Sequence, residues 1–499
     1  ASAGTGKTYS IQSLYLRLAA VEGLAVDRIL VVTFTEAATR ELRDRLRGIL
    51  EKGRIFLEGN LDPGDPDRER IERILGLPAA GVSGSDEEER SRRGRRLRSA
   101  LLNYDAAAIS TIHGFCNRIL QEYAFESGQE FRIELSGDPR GTVEDLCRDW
   151  WRAHVLDATD RERAVLGAMA LEGLVAAALK RISKPYARLL PTPGPAVFPA
   201  AEYEAMLAAW SEPEVRAALR EGKVRKSAVS EAVFGFIEGL AGGNPFPVAP
   251  GDDRLLEKMT RTHLETRLNL GSPGLPPHPF FDRCRTFVEA LAAARLSAPA
   301  AAVEEVAERF HSRRDDRITY DELLLRFLRA LENPVSGSAL VSALRGGFQA
   351  ALIDEFQDTD PVQYRIFRRI FFGGERPVFL VGDPKQAIYS FRNGDIHTYY
   401  AAARSVPENR RYRLDVNHRS EPALVDAVNL LFRDSSRRRA FINPELPFAG
   451  EVKAAPRREA PFLEIGGKPD ERPFRIWYYP DWADSGRGKA TGGSSARAR

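Results

Sequence analysis

The chain opens on ASAGTGKT, in which Gly4, Gly6, Lys7 and Thr8 have the spacing of a phosphate-binding loop, with Ala1 where Gly is usual. Glycines let successive backbone N–H groups turn toward an anion with no Cβ in the way. The apolar positions Ile11, Leu14, Tyr15 and Leu18 follow at helical spacing, so a helix N-terminus faces the same anion. Lys7 is therefore expected on the β- and γ-phosphates of a nucleotide and Thr8 on Mg2+. Ala1, Ser2, Ala3, Gly4, Thr5 and Gly6 form the cradle. A second stretch, ALIDEFQD, supplies what such a loop lacks: an apolar strand ending in Asp354 and Glu355. Asp354 is expected to share the Mg2+ with Thr8, and Glu355 to polarise the attacking water. An acid pair after a strand is also an ordinary loop feature, but pair and loop together make both ends of one nucleotide site.

These groups need a parallel sheet to hold them. RILVVTFT reads as a short buried strand, and EAATRELRDRLRGIL returns to helical period through Ala38, Leu42, Leu46 and Ile49. AAAIST, FQAALIDEF and RPVFLVGD are further strand candidates, and IHGFCNRILQEYAF is a helix candidate. Strands alternating with helices predict a parallel sheet covered by helices. From about Gly53 to Arg98 Pro, Gly and charge dominate, which predicts a surface insertion with one helix near RERIERILGL. From roughly Phe131 to Ala300 the chain is rich in Ala, Leu and Arg and reads as an inserted helical domain. A further unit starts near RYRLDVNHRS, and DSGRGKATGGSSARAR at the end is low in complexity.

At 499 residues the chain is too long for one core and suggests roughly two to four domains. A hydrophobic fraction of 43% with 29% charged residues fits folded globular protein. No apolar run approaches the roughly 20 residues that cross a bilayer, and the first residues are not a secretory signal. Cys116, Cys147 and Cys284 lack metal-type spacing and fit a reducing cytoplasm. The net charge is only +3, but basic residues cluster in RSRRGRRLR (Arg90 to Arg98) and at Arg437, Arg438 and Arg439. Each cluster reads either as a solvated loop or as a nucleic-acid contact.

ASAGTGKT, TFTEAATRELRDRLR, STIHGFCNRIL, LIDEFQDTDPVQYRIF, LVGDPKQAIYSFRNGDIHTY and LDVNHRS stand in the order of the motifs of UvrD-like superfamily 1 DNA helicases, which the chain resembles. STIHGFC followed by AFESG, and DPKQAIYSFRNGDIHTY, are most similar to the RecB branch, the β subunit type of exodeoxyribonuclease V. The resemblance is strong over residues 1–135 and 305–450. It implies an α/β fold: a RecA-like P-loop NTPase sheet with a large inserted helical domain and the start of a second RecA-like domain. The expected boundaries are 1–135 with 305–400 for the first domain, 136–304 for the insert, 401–480 for the second, and 481–499 as a disordered tail.

The resemblance also implies roles at matched positions. Phe34, Thr35, Thr111 and His113 fall where the family contacts single-stranded DNA. Gln386 matches a γ-phosphate sensor linked to the DNA track, Tyr389 and Phe391 match base-stacking aromatics, and Arg392 matches a DNA-contacting Arg. Arg419 matches the Arg on the γ-phosphate, and His418 stands where relatives often carry an adenine-stacking Tyr. Aromatic faces hold single strands without reading sequence, at roughly 1–3 kcal/mol per base. Taken singly, Tyr389 and Phe391 suit core packing as well, His113 a hydrogen-bonded helix start, and Arg419 a surface ion pair. TYDELL (Thr319 to Leu324) resembles a family segment and carries no assigned chemistry.

The implied function is an ATP-dependent DNA helicase motor of a RecB-type helicase-nuclease, using ATP and Mg2+ on single-stranded and duplex DNA with RecC and RecD subunits. Non-catalytic nucleotide and DNA binding, or an AddA- or UvrD-type motor, are the alternatives. The later arginine-finger motif, the glutamate-bearing motif before it, a nuclease metal cluster, the strand before the loop and an initiator Met are not found. The expectation is a motor fragment.

Overall fold

A computed structural model describes residues 4–76, 84–123, 134–135, 138–156, 158–166, 169–194, 197–215, 217, 231–246, 254–268, 271–272, 274–275, 277–313, 317–374, 376–389, 394–433, 452–455, 464–465, 468–469 and 474–475. Ala1, Ser2, Ala3, Phe391, Arg392, the Arg437–Arg439 cluster and the tail 481–499 lie outside the described residues. The chain divides into two compact units, Ala1–Ile112 with Ser342–Arg499, and His113–Val341. Among the described residues the strands are β1 Ile29–Thr33, β2 Ile109–Thr111, β3 Glu134–Leu135, β4 Arg317–Ile318, β5 Ala350–Ile353, β6 Val378–Leu380, β7 Val416–Asn417, β8 Lys453–Ala454, β9 Glu464–Ile465 and β10 Lys468–Pro469.

In the first unit four strands form one all-parallel sheet in the order β2-β1-β5-β6. Val31 sits opposite Ile109 on one side and opposite Leu352 on the other. β1 and β5 are buried along their whole length, as their unbroken apolar runs predict. β6 is only half-buried, although RPVFLVGD reads as a buried run, because it is an edge strand of this sheet. Helix α1 (Lys7–Ala20) buries Ile11, Tyr15, Leu16 and Leu18. Helix α2 (Glu36–Leu57) buries Leu42, Leu46, Ile49, Leu50 and Phe56 against the same core.

The stretch read as a surface insertion with one helix holds more structure than that. Helix α2 runs on to Leu57, α3 spans Arg68–Leu75, and a 19-residue α4 spans Gly84–Leu102. Its charge hid its period: Leu97 and Ala100 reach the core, while acidic residues in the first turns and arginines after them fill most of the rest of the helix. The cluster RSRRGRRLR is thus neither a loop nor, for the most part, a free cationic face. Arg96 donates to the carbonyls of Ala20 (3.0 Å) and Val21 (2.6 Å) at the C-terminal end of α1, and Arg93 donates to the Leu75 carbonyl closing α3. Those carbonyls have no partner within their own helices, so an arginine donor satisfies them. Arg92 and Arg93 also pair with Glu89, and Arg98 with Glu58.

Among its described residues the second unit is mainly helical and carries the parallel pair β3–β4. Its centre is the helix Pro279–Ser312, which buries Phe280, Phe281, Phe287, Leu291, Val306 and Phe310. Helices Arg140–Trp151, Leu171–Ser183 and Ala200–Trp210 pack around it. By length and composition this 34-residue helix is long and apolar enough to cross a membrane, which the reading by apolar runs missed because Arg and Glu interrupt it. Its apolar side supplies the unit's core. Cys116, Cys147 and Cys284 are buried, and none is in a disulfide.

Candidate nucleotide site and nucleic-acid face

The loop that leads into α1 has the backbone its glycines predict. Gly4 has φ +77 and Gly6 has φ +86, the left-handed region that side chains resist. Gly4 is also pressed against a neighbour: an added Cβ would stand 2.6 Å from Arg419 Cβ and 3.0 Å from Asn417 Oδ1. Its carbonyl accepts from the His418 N–H at 2.9 Å, which ties the loop to the turn after β7. One residue beyond Thr8, the half-exposed Tyr9 carries the Arg70 guanidinium 3.9 Å from its ring centre. Arg70 is 5% exposed, bound to Asp67 at 2.6 Å and to Gln12 Oε1 at 3.1 Å, and burial lowers its pKa. Arg70 belongs to none of the motifs; it comes from α3, inside the supposed insertion.

β5 delivers the two acids. The Asp354 N–H still bonds the Val32 carbonyl at 2.9 Å, so this residue extends the pairing with β1. Glu355 then breaks the strand with φ +48, the one left-handed non-glycine among the described residues. Such a conformation is uncommon outside glycine and costs on the order of 1 kcal/mol or more. Its N–H is held by Asp354 Oδ1 at 2.9 Å. The strained turn aims the Glu355 carboxylate at the loop, where Lys7 Nζ meets Oε2 at 2.8 Å. Lys7 Nζ also reaches Gln386 Oε1 at 3.4 Å. The structure therefore brings Lys7, Glu355 and Gln386 together, from residues 348 and 379 positions apart in sequence.

A buried polar net fixes both carboxylate and amide. Gln357 Nε2 donates to Glu355 Oε2 at 2.8 Å and to Asp358 Oδ2 at 3.0 Å, and its Oε1 accepts from the Asp383 N–H at 2.8 Å. Asp383, 1% exposed, accepts from Gln386 Nε2 at 2.6 Å and pairs with Lys385 at 3.0 Å. Gly382 makes this closeness possible, since a Cβ there would stand 2.8 Å from Gln357 Oε1 and 3.0 Å from the Gln357 backbone nitrogen. Gln357, Asp358 and Asp383 lie inside LIDEFQDTDPVQYRIF and LVGDPKQAIYSFRNGDIHTY, and nothing in their types or spacing announces the net. Burial pushes the Asp354 carboxyl up to about 6, with Glu355 adding repulsion, and burial likewise pushes Asp358 to about 6. A cation beside Asp354 would relieve both effects there.

Arg419 stands on the turn after β7, where Asn417 Oδ1 accepts the N–H groups of both Arg419 and Ser420 at 2.8 Å. Asn417 is buried, whereas His418 and Arg419 are exposed. On the sheet's other elements, Phe34 leaves β1 and its ring lies 5.1 Å from that of Tyr389, tilted by 32°. Phe34, Asp354 and Glu355 line one small cleft with Thr33 and Thr359. Thr35 is the exposed N-cap of α2, accepting from Ala38 N at 3.1 Å. Thr111 is 6% exposed and gives its hydroxyl to Glu36 at 2.9 Å. In the second unit His113 meets Tyr320 edge-to-face at 5.3 Å, and burial lowers its pKa.

Comparison with known proteins gives the site its context. The profile of the UvrD/REP helicase N-terminal domain matches residues 1–241 and 252–407. The RecBCD enzyme subunit RecB of Escherichia coli (strain K12) is 34% identical over 509 residues, covering 96% of this chain and 41% of that protein. Its namesake in Mycobacterium tuberculosis (strain CDC 1551 / Oshkosh) is 31% identical over 93% of this chain and 32% of its own length. The one in Haemophilus influenzae is 30% identical over 87% and 39%. The chain thus spans about two fifths or less of the length of these relatives. With the profile covering most of its residues and the loop, acids and glutamine gathered at one end of a parallel sheet, the chain belongs to the UvrD/REP helicase N-terminal domain family.

Proposed function

We propose that this chain is the motor part of a RecB-type DNA helicase, which hydrolyses ATP to move on single-stranded DNA in double-strand break repair and recombination. The observation that carries the reading is the meeting of Lys7, Glu355 and Gln386, with Gln386 only three residues before Tyr389, whose ring meets that of Phe34. Nucleotide phosphates would lie in the loop 1–8, where Lys7 exchanges its carboxylate partner for the β- and γ-oxygens. Glu355 then accepts the proton of a water whose oxygen attacks the γ-phosphorus, as the bond to the β-phosphate oxygen breaks. Arg419, beside Gly4, approaches the γ-phosphate from the turn after β7.

Thr8 and Asp354 suit Mg2+: both offer hard oxygen, and the pKa of the half-buried Asp354 carboxyl is raised by burial and by Glu355 beside it, which a cation would offset. Bound there, Mg2+ would neutralise phosphate charge as it develops. Phe34, Thr35, Thr111, His113, Tyr389, Phe391 and Arg392 are proposed to hold the DNA strand. Gln386 links the two tasks, since its amide touches Lys7 on one side and Asp383 on the other.

We propose the first unit as the RecA-like ATPase core continuing into a second RecA-like domain near 401–480, and the helices 136–304 as the accessory insert. By likeness to relatives named as RecBCD subunits, the full protein would work in the cytoplasm with RecC and RecD subunits on DNA. DNA-stimulated ATP hydrolysis by the full-length protein, with and without Lys7→Ala, tests the reading. Hydrolysis that survives the substitution sinks it. Salt-dependent single-strand binding with no turnover would point instead to a non-catalytic module.

A further inference from the structure

We infer that Gln363 is a positioning residue for Asp354, whose carboxylate it holds in place as a magnesium ligand through the cleft that the two residues share. The inference rests on the proposed function and adds to it a residue with no role above. Asp354 leaves most of its acceptor capacity open. Among the described residues its carboxylate takes one hydrogen bond, on Oδ1, from the Glu355 N–H at 2.9 Å. A carboxylate has about four acceptor sites. One that ligates a metal is ordinarily held by an outer hydrogen-bond donor, which fixes the direction of the lone pairs it gives to the ion.

Gln363 is placed to be that donor. It lies in the first turn of the helix Pro361–Phe371, where the Asp360 side chain accepts its N–H at 2.9 Å. A glutamine or glutamate at this position commonly reaches back to the N-cap N–H, as Glu322 does to Thr319 in its own helix. Gln363 does not reach back: its carboxamide bonds no described residue, although the residue is only 8% exposed. An amide shut away from water without a partner is costly, so its place needs a reason. It lines a cleft of about 10 Å³ with Asp354 and Glu355, room for about one water molecule. Thr33 and Thr359 are the other polar residues on the wall, and Gln363 alone brings side-chain N–H donors to it. The Thr33 hydroxyl is engaged with Thr35 and Thr39, and Glu355 Oε2 with Lys7 and Gln357. An amide N–H that reaches the Asp354 carboxylate across a single water satisfies both groups and leaves the carboxylate aimed.

The test is magnesium binding, read without turnover. A fluorescent, non-hydrolysable ATP analogue is titrated into the purified protein in EDTA and then at rising Mg2+ concentrations. The parent is expected to bind the nucleotide more tightly as Mg2+ rises. Gln363→Met keeps the length of the side chain but has no N–H, and Gln363→Asn keeps the amide but draws it back by a methylene. Both are expected to need about 10- to 100-fold more Mg2+ for the same gain, with affinity in EDTA within about twofold of the parent. Asp354→Asn should shift the Mg2+ midpoint further. Adding Gln363→Met to it should then move the midpoint by less than about twofold, because the two residues act as one unit. If the Gln363 variants follow the parent's Mg2+ curve while Asp354→Asn does not, the role of Gln363 is overturned and the proposed function stands. Losses that multiply in full in the double variant overturn it as well, since Gln363 would then act apart from Asp354. If the parent gains nothing from Mg2+, both fall.

Discussion

Lys7 Nζ lies 2.8 Å from Glu355 Oε2, so the phosphate-loop cation and the proposed base are already in contact through a strained turn at φ +48. The pair defines two substitutions with different outcomes. Lys7→Ala removes the phosphate contact and leaves Glu355 without its cation, so both nucleotide affinity and turnover should fall. Glu355→Gln keeps the shape and the hydrogen bonds but cannot take a proton. It should lower kcat for ATP by about 10²- to 10⁴-fold while nucleotide affinity stays within about tenfold. Single-turnover hydrolysis with a separate nucleotide titration distinguishes them. A Glu355→Gln protein with near-normal kcat would remove Glu355 from the chemistry.

Gly382 has no room for a side chain, because the atoms around it are fixed: Gln357 Oε1 at 2.8 Å and the backbone nitrogens of Gln357 and Phe356 at 3.0 and 3.2 Å. Gly382→Ala must push Gln357 away from Asp383 or shift β6. The expected loss is about 1–3 kcal/mol of unfolding free energy. Turnover should fall more than nucleotide affinity, since Gln357 orients the Glu355 carboxylate. Denaturant melts of the parent and variant, read beside kcat, check this; an unchanged midpoint would mean the net yields freely.

Much of this site was legible in the sequence because its parts are local. The acid pair and the glutamine each occupy a few adjacent residues after a strand, and the loop a few residues before a helix, and a short apolar run is enough to place each strand. What was not legible depends on distant partners. Arg70 looked like one charge in a charged segment, and only the fold sets its guanidinium on the Tyr9 ring. Gln357 was one letter in a motif until Gly382 brought the Asp383 backbone to it. Helix α4 was missed because its apolar anchors are few, and its arginines spend their charge on carbonyls instead of displaying it.

That last point yields a prediction about the basic cluster. Arg96→Ala leaves the Ala20 and Val21 carbonyls at the end of α1 without their donor. It should destabilise the protein by about 1–3 kcal/mol, the usual cost of stranding buried polar groups. Single-strand affinity should remain within about twofold of the parent, because a guanidinium held by carbonyls is not offered to phosphate. Thermal melts and oligonucleotide titrations of the same preparation decide it. A normal melting temperature with a large loss of affinity would restore the cluster as a nucleic-acid contact.

The pH response of the second unit follows from His311. It lines a cavity of about 330 Å³ with Arg181, Glu304, Glu308 and Arg329. Burial, and then Arg329, Arg181 and Arg313, push its pKa from 6.5 down to about 4, against the pull of Glu304. The unfolded chain therefore takes up a proton that the folded unit refuses. The stability this neutral imidazole supports is complete above pH 6.5 and is lost as pH falls from 6.5 toward about 4. Allowing for solvent screening, the loss attributable to His311 is on the order of 1–2 kcal/mol. His311→Gln cannot titrate, so between pH 7 and 4.5 it should lose less stability than the parent by that amount, with carboxylate effects common to both. Amide exchange across the helix Pro279–Ser312, compared between the two proteins at both pH values, reads the difference where it arises. Equal losses in parent and variant would mean that the histidine is already solvated, and that the arginines around it repel one another without its help.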